Sequence, residues 1–241
     1  MRQSEISDST WKGLYKIGGV AAILQLITIL TYSVLIAVLG PKPTSAAEYF
    51  AIYQDSPLEA FLRGDFLLLV LIGLYLGTFP ALYVALRRLS PVYAALATLF
   101  TIMAVVGTFA TESSFSLLHL GAQYVNATGD AMRTQLQAAG EAVIASDMWN
   151  SSAAYMGGIL LQGSGVMISV IMLRSKDFSK ITAYTGLLGN GFDLIQHIIH
   201  PFAPSISSYI QMSMGLFYFV WFPMLGRDLL RLAKRSTVIR E

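Results

Sequence analysis

The chain contains no cysteine and few charged residues. Of its 241 residues none is Cys, and only 12% are Asp, Glu, Lys or Arg. Without a thiol, disulfide bonds, thiolate catalysis and cysteine-ligated metal sites are excluded. An average soluble domain is about 25% charged. The scarcity of charge, together with a hydrophobic share of 55%, therefore excludes an ordinary soluble domain and indicates a membrane protein.

What the chain has instead is a set of long apolar segments. Each is roughly 20 residues or longer, the length that a helix needs to cross about 30 Å of hydrocarbon. The segments, numbered one to six, are residues 14–39, 64–88, 91–112, 152–174, 181–200 and 207–230. Backbone groups in hydrocarbon must bond within their own segment, so we expect helices, including a retained first one. The sequence therefore predicts an all-α fold, a polytopic bundle of six transmembrane helices in one integral membrane domain over residues 1–241.

The distribution of basic residues predicts the orientation of this bundle. With the amino terminus in the cytoplasm, 13 of the 16 Lys and Arg lie inside, and only Lys42, Arg63 and Arg133 lie outside. The positive-inside rule then places both termini in the cytoplasm and the protein in the cytoplasmic membrane as a multi-pass protein. The basic clusters are topology signals or contacts to anionic lipid headgroups, so membrane lipids are expected partners and nucleic acid is not.

Two longer connections lie outside in this topology, and both are expected to contain short helices. The capping boxes "SAAE" at 45–48 and "SPLE" at 56–59 predict a short outer helix, then a second helix that runs into the membrane without a break. In the other connection Met132, Leu136, Val143 and Ile144 have helical spacing, which predicts an amphipathic helix on the outer face.

Small residues recur in segments four and five. Small side chains let helix backbones approach closely, so these two segments are expected inside the bundle. The glycines concerned are Gly158, Gly163 and Gly165 in segment four and Gly186, Gly189 and Gly191 in segment five.

Four stretches resemble a known family. They are "TWKGLYKIGGVAAI", "ALYVALRRLSP", "QYVNATGDAMRTQLQAAGEA" and "ISVIMLRSKDFSKITAYTGLLGN", in this order between about residues 11 and 190. They are similar to a family of uncharacterised bacterial integral membrane proteins with six helices, defined as a domain of unknown function. The resemblance implies a bacterial, single-domain helical protein of the cytoplasmic membrane. It brings no activity, substrate, cofactor or catalytic residue, and the histidines of "FDLIQHIIHPF" are not part of the family pattern.

A polar stripe runs along segment five. Its members fall on one helical face or at its edge and are Asn190, Asp193, Gln196, His197 and His200. Ionisable residues inside a membrane segment are costly and mark functional sites by default. Asp193 and His197 are four residues apart and can pair.

Segments three and four carry further polar residues that could complete a pocket. Glu112, Ser116 and His119 have helical spacing at the outer end of segment three, while Gln162 and Ser164 lie near the middle of segment four. We expect an outward-facing pocket shared by segments three and five, with Glu112 near His197 or His200.

Several interpretations of this polar stripe stay open. The preferred one is a non-enzymatic bundle that binds a small ligand or ion and serves binding, sensing or transport. One alternative is a metal-dependent hydrolase embedded in the membrane, with Asp193, His197, His200 and Glu112 as ligands. Another is an accessory subunit in which the stripe only holds helices together. The residues decide neither whether the protein is an enzyme nor its cofactor or protein partner, and they assign no metal site.

Overall fold

The computed structural model describes residues 11–147 and 150–238, and within these ranges the chain forms helices and turns but no strand. The helices in this part of the chain are α1 Lys12–Leu39, α2 Ala46–Asp55, α3 Pro57–Leu62, α4 Phe66–Gly73, α5 Tyr75–Leu86, α6 Pro91–Thr111, α7 Ser114–Val125, α8 Asp130–Ala145, α9 Ser152–Met172, α10 Lys180–Ile199 and α11 Pro204–Val238. The predicted all-α class is confirmed.

Four stretches of the described chain are long and apolar enough to cross a membrane. They are α1, α4 with α5, α6 with α7, and α9. α10 and α11 form helices where segments five and six are expected, but they fall outside this set. α10 carries the polar stripe, and α11 contains Ser, Gln, Tyr and Trp among its apolar residues. The count of six transmembrane helices therefore stays a prediction.

A break interrupts the second segment, where a continuous helix was expected, whereas the third segment forms one helix as predicted. α4 begins only at Phe66, and Leu74 separates it from α5. The Leu74 carbonyl accepts from the amides of both Gly77 (3.0 Å) and Thr78 (3.2 Å), so the backbone tightens at this turn. α6 ends at Thr111. The prediction of one uninterrupted second helix was wrong.

The break after Thr111 separates Glu112 from Ser116 and His119. The Glu112 carboxylate accepts a hydrogen bond from the Ser114 amide (2.7 Å). It thus satisfies one of the unpaired N–H groups at the start of α7, where a negative charge is favourable. The expectation that these residues share one continuous helix face was wrong, because the chain restarts as a new helix at Ser114.

Contacts divide the chain into two compact units. The first unit contains residues up to 27, 73–105 and from 157 onward; the second contains residues 28–72 and 106–156. In the first unit the largest buried apolar side chains are aromatic and aliphatic, namely Phe79, Leu82, Leu86, Ile168, Met172, Trp221, Phe222, Leu225 and Leu229. α10 and α11 pack extensively against each other in this unit.

The second unit contains the short outer helices. Its core is the cluster Ala46, Tyr49, Phe50, Ala60 and Leu117. The Ser45 and Ser56 hydroxyls accept from the amides of Glu48 and Glu59, each at 3.2 Å, which confirms both predicted caps. α8 appears where the amphipathic helix was expected, and its Glu141 carboxylate accepts from the Ala46 amide at 2.8 Å.

Not every apolar residue of α8 faces the second unit's core. Leu136 is buried, and Val143 and Ile144 pack against the cluster, as the helical spacing predicts. Met132, the first of the four apolar residues, is 53% exposed. It lies in the first turn of α8, before the helix reaches the α2 contact at Glu141.

A buried ion cluster also lies in the second unit. The Lys42 ammonium forms ion pairs with the carboxylates of Asp65 and Asp147, the latter at 2.6 Å. Both carboxylates are almost fully buried, at 1% and 2% exposure, whereas the Lys42 side chain is 20% exposed. This one lysine therefore ties the end of α1 to the residues just before α4 and just after α8.

Candidate functional site

The polar stripe lies on α10, in the first unit. Asn190, Asp193 and Gln196 are buried at 1%, 4% and 3% exposure, whereas His197 and His200 are partly exposed. α10 begins where the Ser179 hydroxyl accepts from the Thr182 amide (3.0 Å). Because every member lies on one helical side, α10 presents a continuous row of hydrogen-bonding groups to its neighbours.

Asp193 and His197 are in contact, as their spacing predicts. The His197 Nδ1 atom lies 3.0 Å from the Asp193 carbonyl oxygen, with which it hydrogen bonds. The same atom lies 3.0 Å from carboxylate Oδ1. The hydrogen bond is formed with the carbonyl, so the buried Oδ1 has no hydrogen bond of its own among the described residues and is in contact with the imidazole alone as an ion pair. The interaction of Oδ1 with His197 is therefore strongest when the imidazole is protonated.

The other carboxylate oxygen belongs to a network around the Tyr218 hydroxyl of α11. That hydroxyl lies 2.9 Å from Asp193 Oδ2, 3.0 Å from Gln162 Oε1 and 3.5 Å from Asn190 Oδ1. The Asn190 amide nitrogen donates to the Gly186 carbonyl (2.7 Å), which holds its oxygen toward Tyr218. A tyrosine hydroxyl carries one proton. Three acceptor oxygens thus compete for one donor.

Glycines of α9 make room for this network. A methyl group added at Gly165 would overlap the Asn190 amide, and one added at Gly158 would overlap the His197 ring. Gly186 of α10 lies directly against Trp221 and Ser169. Segments four and five therefore approach closely at Gly158 and Gly165, as the small residues predict. Beside Gly163 and Gly191 no other described residue is close.

Gln196 and His200 belong to a separate contact. The Gln196 side-chain amide donates to the Ser207 hydroxyl (2.8 Å), and His200 Nδ1 lies 3.1 Å from the same oxygen. Ser207 is buried near the start of α11. These two predicted site residues therefore join the end of α10 to α11, while Asn190, Asp193 and His197 form the network around Tyr218.

Asp228 and Tyr218 are the polar residues that sequence reasoning missed. The Asp228 carboxylate is fully buried and accepts from the Thr182 hydroxyl (2.6 Å) and the Ser179 amide (2.9 Å). It thereby fixes the first turn of α10 against α11. Asp228 could have been found from the sequence, because a carboxylate inside an apolar segment indicates a buried polar contact. Tyr218 lies in a run of aromatic residues, and nothing in that run indicates its hydrogen bonds.

Glu112 and His119 lie in the second unit. Besides its bond to the Ser114 amide, Glu112 acts on Tyr49: burial raises the pKa of that phenol, and the charges of Tyr53 and Glu112 add to the effect. The His119 ring lies 3.0 Å from the Gln123 side chain and is exposed. Glu112 thus has a polar partner within its own unit, and the pocket shared with His197 or His200 stays a prediction.

The metal-site alternative can be compared with the described His, Asp and Glu side chains. Within residues 11–147 and 150–238, no group of three or more His, Asp or Glu side chains is placed to hold a metal ion. The structure therefore gives no support to a metal-dependent hydrolase built from Asp193, His197, His200 and Glu112.

An all-helical chain with several membrane-length apolar helices and a buried polar network is a helical integral membrane protein. Its family is the one described as Domain of unknown function (DUF4386), to which the chain belongs through residues 17–225. The resemblance found in the sequence is thereby confirmed. No curated protein and no solved structure matches the chain.

Proposed function

We propose that the protein is a non-enzymatic binding bundle of the cytoplasmic membrane that takes up and releases a proton at Asp193 and His197. It spans the membrane six times with both termini in the cytoplasm, and the ion bound from the outer side is the proton. Proton binding of this kind serves sensing or coupled transport. The orientation is supported by the excess of basic residues on the inner side.

The surplus of acceptors around Tyr218 carries the proposal. One hydroxyl proton faces the oxygens of Asp193, Gln162 and Asn190, and Asp193 Oδ1 has no hydrogen bond within the described chain. A proton bound to the carboxylate would supply the missing donor. If the oxygen and nitrogen of the Gln162 side-chain amide exchanged places, the nitrogen could donate to the Tyr218 hydroxyl. Asp193 Oδ1 would still have no hydrogen-bond donor.

His197 is the second half of this proton site. Its side chain is 22% exposed, whereas that of Asp193 is 6% exposed, so the imidazole stands between the buried carboxylate and the outside of the unit. Imidazole is the side chain that ordinarily changes its charge between pH 5 and 8. Tyr75 of α5 also interacts electrostatically with Asp193, so the described neighbours of the carboxylate include two phenols and one imidazole.

The experiment is a pH titration of the histidine rings by NMR in the detergent-solubilised protein. The chain has three histidines, so His119→Gln and His200→Gln assign the remaining signal to His197 and serve as controls. Over a scan from about pH 5 to 9 we expect the His197 signal to titrate and its midpoint to change in Asp193→Asn, which follows from their contact.

Two results would overturn the proposal. One is a His197 ring that keeps the same protonation state across this range; the other is an identical midpoint in Asp193→Asn. In either case the polar network only holds α9, α10 and α11 together. The protein is then better described as an accessory subunit without a site of its own.

A further inference from the structure

A cavity of about 490 Å³ lies in the first unit, and its lining includes none of the residues of the α10 network. Its walls come from four places in the sequence: Tyr15 of α1, the end of α5 with the turn after it, the turn between α9 and α10, and the last turns of α11. In the proposed topology all of these, Tyr15 included, lie at the cytoplasmic ends of membrane helices.

Positive charge dominates the lining. Among the described residues, Arg88, Arg174, Lys176 and Arg235 line the cavity together with one carboxylate, that of Asp177. Asp177 pairs with Arg235 at 3.5 Å, and both side chains are about half exposed. The lining therefore has three more cationic than anionic side chains, which suits a ligand that carries negative charge.

The rest of the wall is apolar. Val84, Leu89 and Leu232 line the cavity beside the basic residues, and the ring of Tyr15 closes another side. An inorganic anion alone needs no apolar wall. A phosphate attached to a glycerol and acyl chains would satisfy both halves, because the phosphate meets the arginines while the adjoining carbons meet the apolar side chains.

We infer that this cavity binds a phosphate group, either that of an anionic phospholipid from the cytoplasmic leaflet or that of a soluble phosphate compound. Basic pockets between membrane helices on the cytoplasmic side suit phosphate headgroups. Arginine is suited to the task because its planar guanidinium can donate two parallel hydrogen bonds to phosphate.

The test uses the full chain purified in an uncharged detergent. Native mass spectrometry counts bound phosphatidylglycerol against phosphatidylcholine, and calorimetry with inorganic phosphate tests the soluble source. The variant is Arg88→Gln with Arg174→Gln; the matched control is Arg133→Gln with Arg231→Gln, which removes two exposed arginines outside the cavity.

We expect one saturable phosphatidylglycerol per chain, weaker binding of phosphatidylcholine, and an affinity loss of about fivefold for each arginine removed from the cavity. The control should bind like the natural chain. Binding of phosphatidylglycerol alone identifies the lipid, and saturable binding of inorganic phosphate that is lost in the variant identifies a soluble source. If the double variant fails to fold, Lys176→Gln, an exposed cavity residue, takes its place.

Equal binding of the two lipids with no phosphate binding would overturn the inference. So would equal affinities in the cavity variant and the control. Neither result bears on Asp193 and His197, whose titration is measured separately.

Discussion

Lys42 is paired with two buried carboxylates, those of Asp65 and Asp147. No other cation among the described ion pairs of its unit has two buried partners. Replacing such a cluster completely with apolar residues is often neutral, whereas removing one member strands the others without a partner. The lysine is therefore more important to the cluster than either aspartate, because its loss removes the cation from two buried carboxylates.

Lys42→Met is expected to lower the free energy of unfolding by about 3–5 kcal/mol, the usual cost of breaking a buried ion pair. The methionine keeps most of the apolar stem, so lost packing is a small part of the effect. The measurement is the thermal unfolding midpoint in detergent, with Lys16→Met, an exposed lysine, as the control. A midpoint equal to that of the control would show that the cluster contributes nothing.

The same lysine predicts a loss of stability at alkaline pH. Burial alone lowers the pKa of Lys42, but the Asp65 and Asp147 carboxylates outweigh burial and raise the pKa above 10.5. A raised folded-state pKa gives stability that is complete below the unfolded value and is lost as pH rises through the folded one. We expect the unfolding midpoint to fall above about pH 10.5, and to fall less in Lys42→Met. Parallel curves of unfolding midpoint against pH in the two proteins would contradict this.

At the scale of helices, α9 offers a matched pair of glycines. Gly165→Ala places a methyl group on the Asn190 amide and is expected to destabilise the protein by about 1–3 kcal/mol, as overpacking does. Gly163→Ala, two residues earlier, meets no other described residue and is expected to be neutral or to stabilise by up to about 1 kcal/mol through helix propensity. Unfolding midpoints of both variants test this, and equal effects would contradict the close α9–α10 contact.

Helix starts were predictable where a local side chain decides them. Ser45, Ser56 and the proline at position 91 each fix the start of a helix within one turn, so the sequence around them contains the whole signal. The breaks at Leu74 and after Thr111 were missed. An apolar run shows only that a segment is long enough to cross a membrane, whereas these breaks depend on hydrogen bonds such as that of Glu112.

The candidate site was predictable to a similar extent. Asn190, Asp193 and His197 share a helical face, and spacing alone finds them. Their partners Tyr218 and Gln162 come from other helices, so only the fold can bring them together. Gln196 and His200 have the same spacing yet bond to Ser207 instead, which no periodicity distinguishes.

At the scale of the whole molecule, the topology can be tested at one turn. Phe202 lies between α10 and α11 and is 83% exposed. With six transmembrane helices it faces outside, whereas with four it stays in the cytoplasm. Because the chain has no cysteine, Phe202→Cys introduces the only thiol. We expect a membrane-impermeant maleimide to label Phe202→Cys in intact cells and to leave Lys176→Cys unlabelled. An unlabelled Phe202→Cys would refute six membrane helices, and labelling of Lys176→Cys alone would refute the proposed orientation.

The buried network of α10 has a consequence for the order in which the protein is made. A charged residue at the centre of a helix opposes entry from the translocon by about 2.5–3.5 kcal/mol, and the hydroxyl that meets Asp193 belongs to α11, which the ribosome has not yet produced when α10 emerges. We therefore expect α10 to wait at the translocon and to enter the bilayer together with α11 as a hairpin. In a glycosylation-reporter assay, α10 alone should insert poorly and the α10–α11 pair efficiently, with Asp193→Leu restoring insertion of α10 alone. A nascent chain that stops before Pro204 would then leave α10 outside the bilayer.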